Sequence, residues 1–336
     1  MILSERASAL FATIANTDDG EPVRVQSVHR NDVALMDLTG RLESVGRAGI
    51  SSLHEVVTGD WGWRSSTSIA IAPRYSEVRR GSSAHSAGQT LAANLDVIFL
   101  VLSPVTADRA SVIQRLAAIG WDSGAMPVFL ILKADELSGA DRDRIARAVA
   151  SQAIGIEAVF ASSVTGEGIP LVESMLSDST TSVLIGHSGA GKSSLINQLA
   201  RRDVQDVGEV RTNDSKGRHT TTRRDLIDLG ELGQVIDTPG LRELGVVSTA
   251  SVIDAFPEIE QFASECKYAD CSHTVEPGCA VADAISDGLI SRERWNGYSK
   301  MLKEAAYAER NREMTTRDKN QEWTRLAREY RQSRGH

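Results

Sequence analysis

Residues 186 to 193 read Gly186-His187-Ser188-Gly189-Ala190-Gly191-Lys192-Ser193: two glycines with four residues between them, followed by Lys-Ser. An apolar run, Val183-Leu184-Ile185, precedes them, and a helix-like stretch, Ser194-Leu195-Ile196-Asn197-Gln198-Leu199, follows. Such a strand, tight loop and helix belong in an open α/β sheet. The glycines let backbone N–H groups close around phosphate oxygens at a helix N-terminus, Lys192 reaches the terminal phosphates, and Ser193 offers a hydroxyl to Mg²⁺. A Gly-rich turn with a chance lysine would not bring glycines, lysine, hydroxyl and flanking periodicity together. The loop from Gly186 through Ser194 is therefore assigned to a nucleoside triphosphate.

Downstream, Gln234-Val235-Ile236-Asp237-Thr238-Pro239-Gly240 is a short apolar strand ending in an acid. Asp237 is placed to hold Mg²⁺ through water, and the Gly240 N–H to contact the γ-phosphate. Between the two lies Gly217-Arg218-His219-Thr220-Thr221-Thr222, a polar loop whose threonines can close over the metal; Thr221 is assigned that contact. Each segment alone is common in surface loops. Their order and spacing after a phosphate loop give them meaning.

Upstream, Val128 to Leu132 is a buried-strand run leading into Lys133-Ala134-Asp135, and Ala158 to Ala161 leads into Ser162-Ser163-Val164-Thr165-Gly166. The Asp135 carboxylate can accept both the N1–H and the exocyclic amine of guanine, a donor pair adenine lacks. The Lys133 stem can lie along the base face, with Ser162 in the supporting loop and N–H groups near Ser163 and Val164 meeting the O6 acceptor. Leu132 stands where guanine readers usually carry Asn or Thr, which removes a polar tether to the phosphate loop. The base-reading segments thus precede the phosphate loop, an order expected of a circularly permuted GTPase whose new joint runs from Ser177 to Thr181. A doubly wound sheet keeps its neighbours and its crevice when one surface connection is cut and another joined.

All three cysteines fall within fourteen residues: Cys266, Cys271 and Cys279, with His273 among them. This Cys-x4-Cys-x-His-x5-Cys set suits one closed, tetrahedral, structural zinc site. Three separate buried thiols are the alternative, and they would have no reason to cluster around a histidine. A region with so few apolar residues from Ala263 to Cys279 needs such a staple.

The order of the motifs, the Gly-Arg-His-Thr-Thr-Thr run and the cysteine cluster followed by Ala280-Val281 resemble the ribosome small subunit-dependent GTPase A family, over about Glu21 to Tyr298. The resemblance implies an N-terminal OB-fold with a leading helix (1–73), a linker (74–94), a permuted GTPase domain (95–247) and a zinc-binding helical domain with a basic tail (248–336). It also implies GTP and GDP as ligands and the small ribosomal subunit with its rRNA as partner. Pro22 to Arg30, Val33 to Leu38, Arg41 to Arg47 and Ser68 to Ala72 read as short strands between Gly, Asn and Asp turns, a pattern that also suits an SH3-like barrel. Trp61 and Trp63, in Gly59-Asp60-Trp61-Gly62-Trp63, fit core packing better than base stacking, because the strand pattern buries at least one of them. The linker, with Arg79-Arg80-Gly81-Ser82-Ser83 at its loosest point, is either an RNA-tracking segment or a solvated connection. His29, His54 and His85 have no partner pattern.

With 336 residues, 41% of them apolar, the chain has an ample core, and no apolar stretch approaches a membrane span, so a soluble cytoplasmic monomer is expected. The net charge of −8 argues against nucleic acid, but residues 292–336 carry twelve Lys/Arg against seven Asp/Glu, and that tail can contact rRNA or form a solvated helix. Leu241 occupies the place after Asp-Thr-Pro-Gly where many small GTPases carry a water-orienting Gln. An apolar side chain cannot orient water, which leaves His219 as the nearest catalytic candidate beside Lys192. A second reading is a nucleotide-gated rRNA-binding assembly factor whose hydrolysis is incidental. An ATP-dependent kinase sharing only the phosphate loop is disfavoured by Lys133 and Asp135.

Overall fold

A short helix, α1 (Glu5–Ala12), opens the chain and is followed by β1 (Glu21–Val28), β2 (Asp32–Asp37), β3 (Leu42–Gly46), β4 (Ile50–Ser51), β5 (Trp61–Arg64) and β6 (Ile69–Ile71). The computed structural model describes residues 2–12, 20–52, 55–66, 68–80, 89–205, 225–237, 248–274 and 276–310. The six strands pair in the order β3-β2-β1-β5-β6-β4, all antiparallel except β4 with β6. This is the partly open barrel of the expected OB-fold. Alternate residues of β1 and β2 (Val23, Val25, Val33, Leu35) point inward and are fully buried with Ile69. Trp61 belongs to the core: its ring meets Phe11 of α1 edge-on at 5.7 Å, and the buried Arg24 guanidinium lies 4.3 Å above it.

The stretch read as a linker carries structure at both ends. β7 (Glu77–Arg80) and β8 (Gln89–Ala93) pair as a two-stranded sheet. The cause is a polar network that composition hides. Asp60, fully buried in the turn before β5, takes a bidentate contact from Arg74 (2.7 and 2.9 Å), and Arg74 also reaches Glu77 at 3.0 Å and the Glu55 carbonyl at 2.6 Å. The turn and the supposed linker are therefore one hydrogen-bonded object.

Beyond it run β9 (Val97–Leu102), α2 (Ala110–Asp122), β10 (Met126–Leu132), α3 (Gly139–Gln152), β11 (Glu157–Ala161), α4 (Ile169–Ser174), β12 (Thr181–Gly186), α5 (Lys192–Ala200), β13 (Leu226–Asp228) and β14 (Gln234–Asp237). Their sheet has the order β11-β10-β9-β12-β14-β13, parallel except for β13 at one edge. Near-continuous apolar strands bury both faces. Ile98, Leu100, Phe129, Ile131 and Val183 face α2 and α3, while Phe99, Val101, Leu130 and Leu184 face α4 and α5. The strands earliest in sequence, β9 to β11, fill one half of the sheet and the later β13 and β14 fill the other, with the phosphate-loop strand β12 between them. That is the permuted order.

The joint between α4 and β12 is a tight turn, closed by Thr180 N–H to the Ser177 carbonyl (2.9 Å) and by Ser177 N–H to the Thr180 hydroxyl (3.0 Å). Gly233, between β13 and β14, presses on it with φ +76°, and a Cβ there would lie 2.2 Å from the Thr180 carbonyl oxygen and 2.4 Å from that of Ser177.

By contact the chain divides into Met1–Arg79 with Thr90–Leu244, and Arg80–Gln89 with Gly245–His336. The second unit contains α6 (Thr249–Ala255), α7 (Pro257–Ala263), α8 (Ala280–Ser286) and α9 (292–310). Arg294 of α9 ties them together: its guanidinium is 2.6 Å from Glu258, donates to the Ala255 carbonyl at 2.6 Å, and covers the Phe256 ring at 3.9 Å. Among the described residues, no helix is long and apolar enough to cross a membrane.

Gly233→Ala is expected to cost about 2 kcal/mol or more in urea unfolding, because neither carbonyl can move without breaking the turn. Gly230→Ala, at φ +67° with no atom within 4 Å of the new Cβ, should cost only about 1 kcal/mol. Equal losses would show that the contact at the joint contributes nothing.

Candidate nucleotide site and metal centre

The parallel strands β9, β10, β11, β12 and β14 all end on one side of the sheet, and β9 and β12 are the neighbours from which the chain departs in opposite directions. An open α/β sheet places its ligand crevice at that point. β12 reaches it because Gly186 has no side chain: a Cβ there would lie 2.5 Å from the Val101 carbonyl oxygen of β9.

The loop after Gly186 turns directly into α5, whose first residue is Lys192. The buried Lys192 ammonium curls back to donate to the carbonyls of Gly186 (2.9 Å) and His187 (2.8 Å). Burial pulls its pKa below the ordinary lysine value, against the attraction of Asp237. Asp237 closes β14 opposite Leu184 of β12. Burial raises its pKa; Lys192 opposes the shift and Asp225 adds to it. Lys192 and Asp237 thus lie within electrostatic reach of each other at the ends of β12 and β14. His187, Ser188 and Gly189 are exposed, and Ala190 is buried beneath them.

The segments expected to read the base sit at the ends of β10 and β11. Lys133 adopts a left-handed backbone (φ 59°, ψ 42°) and starts a single 3-10 turn that presents the exposed Asp135. Leu132 is buried, and a Cβ on Gly191 would lie 3.5 Å from its Cδ1, so an apolar wall stands against the phosphate loop where a polar tether was missing. Ser162, expected in the supporting loop, is fully buried, and its side chain contacts Asp135. Its hydroxyl donates to the Asp135 carboxylate and accepts the N–H groups of Val164 and Thr165, each at 3.2 Å. The Val164 N–H is therefore turned toward Ser162 rather than outward, although the residue is 85% exposed.

Two side chains without any motif signal complete this region. Arg142 of α3 donates to the Ala134 carbonyl at 2.7 Å and forms a two-pronged contact with Glu167, one prong at 2.8 Å. Asn197 of α5 accepts from Val204 and Gln205 N–H groups (3.0 and 2.8 Å) and donates to the Gln205 carbonyl (2.8 Å), fixing the chain where it enters residues 206–224. His219, Thr221 and Gly240, with Leu241 and the whole Gly217–Thr222 loop, lie outside the described residues, as does most of the basic tail.

In the second unit, Cys266 follows α7, Cys271 and His273 lie in the next turns, and Cys279 caps α8, its sulphur accepting the Ala282 N–H at 3.4 Å. Their ligand atoms all lie within 4.8 Å of one another, a group that could hold a metal ion. Cys266 Sγ is 3.4 Å from His273 Nδ1 and 4.0 Å from Cys279 Sγ, and Cys279 Sγ is 3.5 Å from His273 Nδ1. Crowded thiols titrate unequally. Burial raises Cys266, but N–H donation from Val281 and Ala280 and its thiol neighbours bring it below the ordinary value; Cys271, desolvated beside two other sulphurs, is pushed up to about 11. Glu276, another residue no motif marked, shapes the loop by accepting from Ser272 and from the Thr274 N–H (3.0 Å), which holds its pKa down at about 2. The His273 ring stands edge-on to Trp295 of α9, 6.1 Å between centroids.

Comparison with known proteins agrees with this arrangement. The family model described as RsgA GTPase matches residues 71–247. The chain is 40% identical over 255 residues to the small ribosomal subunit biogenesis GTPase RsgA 2 of Lactiplantibacillus plantarum, covering 74% of this chain and 72% of that protein. In fold it is similar to YjeQ from Thermotoga maritima (TM-score 0.60, 24% identity, 86% of this chain and 99% of the other). It is likewise similar to YloQ, described as a circularly permuted GTPase (TM-score 0.59, 22% identity, 86% and 96%). With the permuted sheet, the phosphate loop and this match over more than half its length, the chain belongs to the RsgA GTPase family.

Proposed function

We propose that this GTPase binds the small ribosomal subunit during late maturation, hydrolyses GTP to GDP and phosphate under stimulation by that subunit, and is released by hydrolysis. The observation that carries the reading is the meeting of Gly186–Ser193, Asp237 and Asp135 at the C-terminal ends of one permuted sheet. The partner follows from relatives whose names place them in small-subunit biogenesis. Barrel, GTPase sheet and metal-binding helices act as three parts of a cytoplasmic monomer, with the barrel and the basic tail offered to rRNA.

Asp135 reads guanine, held for that purpose by Ser162, and Lys133 covers the base. The N–H groups of the phosphate loop and Lys192 hold the phosphates, for which Lys192 must leave the two carbonyls it now bridges. Ser193, Thr221 and Asp237, the last through water, would offer the oxygen donors that suit Mg²⁺, and the ion would neutralise phosphate charge. Gly240 contributes an N–H to the γ-phosphate. With Leu241 unable to orient water, His219 takes that task on the small subunit.

The metal is zinc. Zn–S bonds of about 2.3 Å and Zn–N bonds of about 2.0 Å make a tetrahedron with S–S edges of about 3.8 Å and S–N edges of about 3.6 Å. The separations among Cys266, His273 and Cys279 (4.0, 3.4 and 3.5 Å) lie within a few tenths of an ångström of those edges, and all four donors, Cys271 included, are within 4.8 Å of one another. All four donors belong to protein, leaving no open position, so the ion is structural.

Three outcomes follow. Asp135→Asn should weaken GTP by about 2 to 4 kcal/mol, roughly thirtyfold or more, and favour xanthosine triphosphate in competition binding; equal binding of ATP and GTP by the unaltered chain would sink the guanine assignment. Elemental analysis should find one zinc per chain, lost in Cys271→Ser/Cys279→Ser with GTP affinity kept and subunit binding weakened; metal-free protein with three freely reactive thiols would disprove the site. In single-turnover assays with purified small subunits, His219→Ala should lower the stimulated rate roughly 10²-fold at unchanged GTP affinity. Full recovery at saturating subunit would make His219 a docking residue, and no stimulation of the unaltered chain would favour a nucleotide-gated assembly factor.

A further inference from the structure

The guanine-reading loop after β10 and the supporting loop after β11 are separate peptides that must keep a fixed distance for Asp135 to meet a base edge while the second loop faces the same base. Ser162 joins them from within, through one hydroxyl. Arg142 joins them from outside. It stands on α3, reaches the main chain of the first loop at the Ala134 carbonyl (2.7 Å), one residue before Asp135, and grips both carboxylate oxygens of Glu167 in the second. The second loop is closed on itself by Ser162 N–H to the Glu167 carbonyl (2.9 Å) and Gly166 N–H to the Ser162 carbonyl (3.0 Å), so a pull on Glu167 is a pull on Ser162.

We infer that Arg142 is a positioning residue for base selection, whose three-pronged grip on Ala134 and Glu167 sets the register of Asp135 against the loop that supports the base. It rests on the guanine reading given above.

Arg142 and Glu167 are 31% and 41% exposed as side chains, and ion pairs of that exposure contribute little to folding. What this pair supplies is geometry. A planar guanidinium can satisfy a carboxylate with two parallel N–H groups and a carbonyl with a third, whereas an ammonium at the same position is a point charge that cannot span both loops. The left-handed Lys133 adds to the need: a non-glycine residue in that region persists only where its surroundings hold it, and Ala134 is the next peptide. Glu167, held below its ordinary pKa by its hydrogen bond to Arg142, stays ionised and keeps the grip near neutral pH.

The test measures dissociation constants of GTP, ITP and ATP for the full chain and its Arg142→Ala, Arg142→Lys and Glu167→Gln variants, alongside thermal unfolding. ITP keeps the N1–H but lacks the exocyclic amine, so its ratio to GTP reports how well both Asp135 oxygens are aimed. Arg142→Ala should weaken GTP on the order of tenfold and narrow the GTP:ITP ratio several-fold, with kcat at saturating GTP unchanged. Arg142→Lys should match the unaltered chain in thermal unfolding without recovering the ratio. Glu167→Gln, nearly isosteric, should narrow the ratio in the same direction and decides the matter if Arg142→Ala does not fold. Variants that lose stability but keep the unaltered GTP:ITP ratio would overturn the positioning role and leave guanine reading intact. An unaltered chain without preference for GTP over ATP would overturn both.

Discussion

The pairing of β12 with β9 is the constraint on which the nucleotide site depends. It runs from Ser182 opposite Val97 to Gly186 opposite Val101, and it joins the half of the sheet that comes early in sequence to the half that comes late. Asp96 fixes its lower end. Its carboxylate accepts the Thr181 N–H at 2.8 Å and its carbonyl accepts the Met126 N–H at 2.9 Å, so one residue sets where β12 and β10 begin relative to β9. From there the strand lengths decide the rest. Gly186 arrives beside Val101 with no room for a side chain, and the loop must turn outward into α5 at that point. Cutting and rejoining the chain elsewhere leaves this register untouched, which is why a permuted order still delivers the phosphate loop to the crevice.

At the crevice the chain replaces a polar contact with a packing contact. Leu132 presents an apolar wall to Gly191 where an amide or hydroxyl would have tied the two loops together by a hydrogen bond. Packing holds distance but not direction. The directional contacts lie further out: Ser162 beneath Asp135, and Arg142 with Glu167 beside it.

How much of this was legible in the sequence follows from the range of each interaction. The phosphate loop, the buried strands and the Cys/His cluster are local patterns, in which residue type and spacing along one peptide already imply the geometry. The sheet order follows from the order of those patterns. The grip of Arg142 on Glu167 joins residues 25 positions apart on different elements, and nothing in Asp-Arg-Asp-Arg distinguishes Arg142 from Arg144, which turns instead to Asp108 and Asp141. The paired strands at residues 77–93 were hidden for a related reason. Their polar composition reads as solvated, yet Arg74 is only 10% exposed because Asp60 awaits it in a turn of the barrel. The sequence puts Ser162 in the supporting loop, but that its hydroxyl faces Asp135 depends on the turn formed with Glu167.

The second unit obeys a different economy. Its cysteine loop buries little apolar surface; among the described residues, short turns, the Lys267 N–H to the Gly278 carbonyl (3.1 Å) and the Glu276 contacts shape it. What connects that loop to the helices is aromatic. The His273 ring meets Trp295, Trp295 lies 5.6 Å from Tyr298, Tyr298 meets Phe256 edge-on at 5.5 Å, and the Arg294 guanidinium covers Phe256. Tyr298 is further locked by its hydroxyl bond to Glu260 (2.7 Å), and burial together with that carboxylate raises its pKa. Stacked rings transmit position only if the end ring is itself fixed, and an imidazole on a loop is fixed by coordination. His273 is thus both a member of the Cys/His group that could hold a metal ion and the edge-on partner of Trp295, so one ring joins that group to the α9 aromatics.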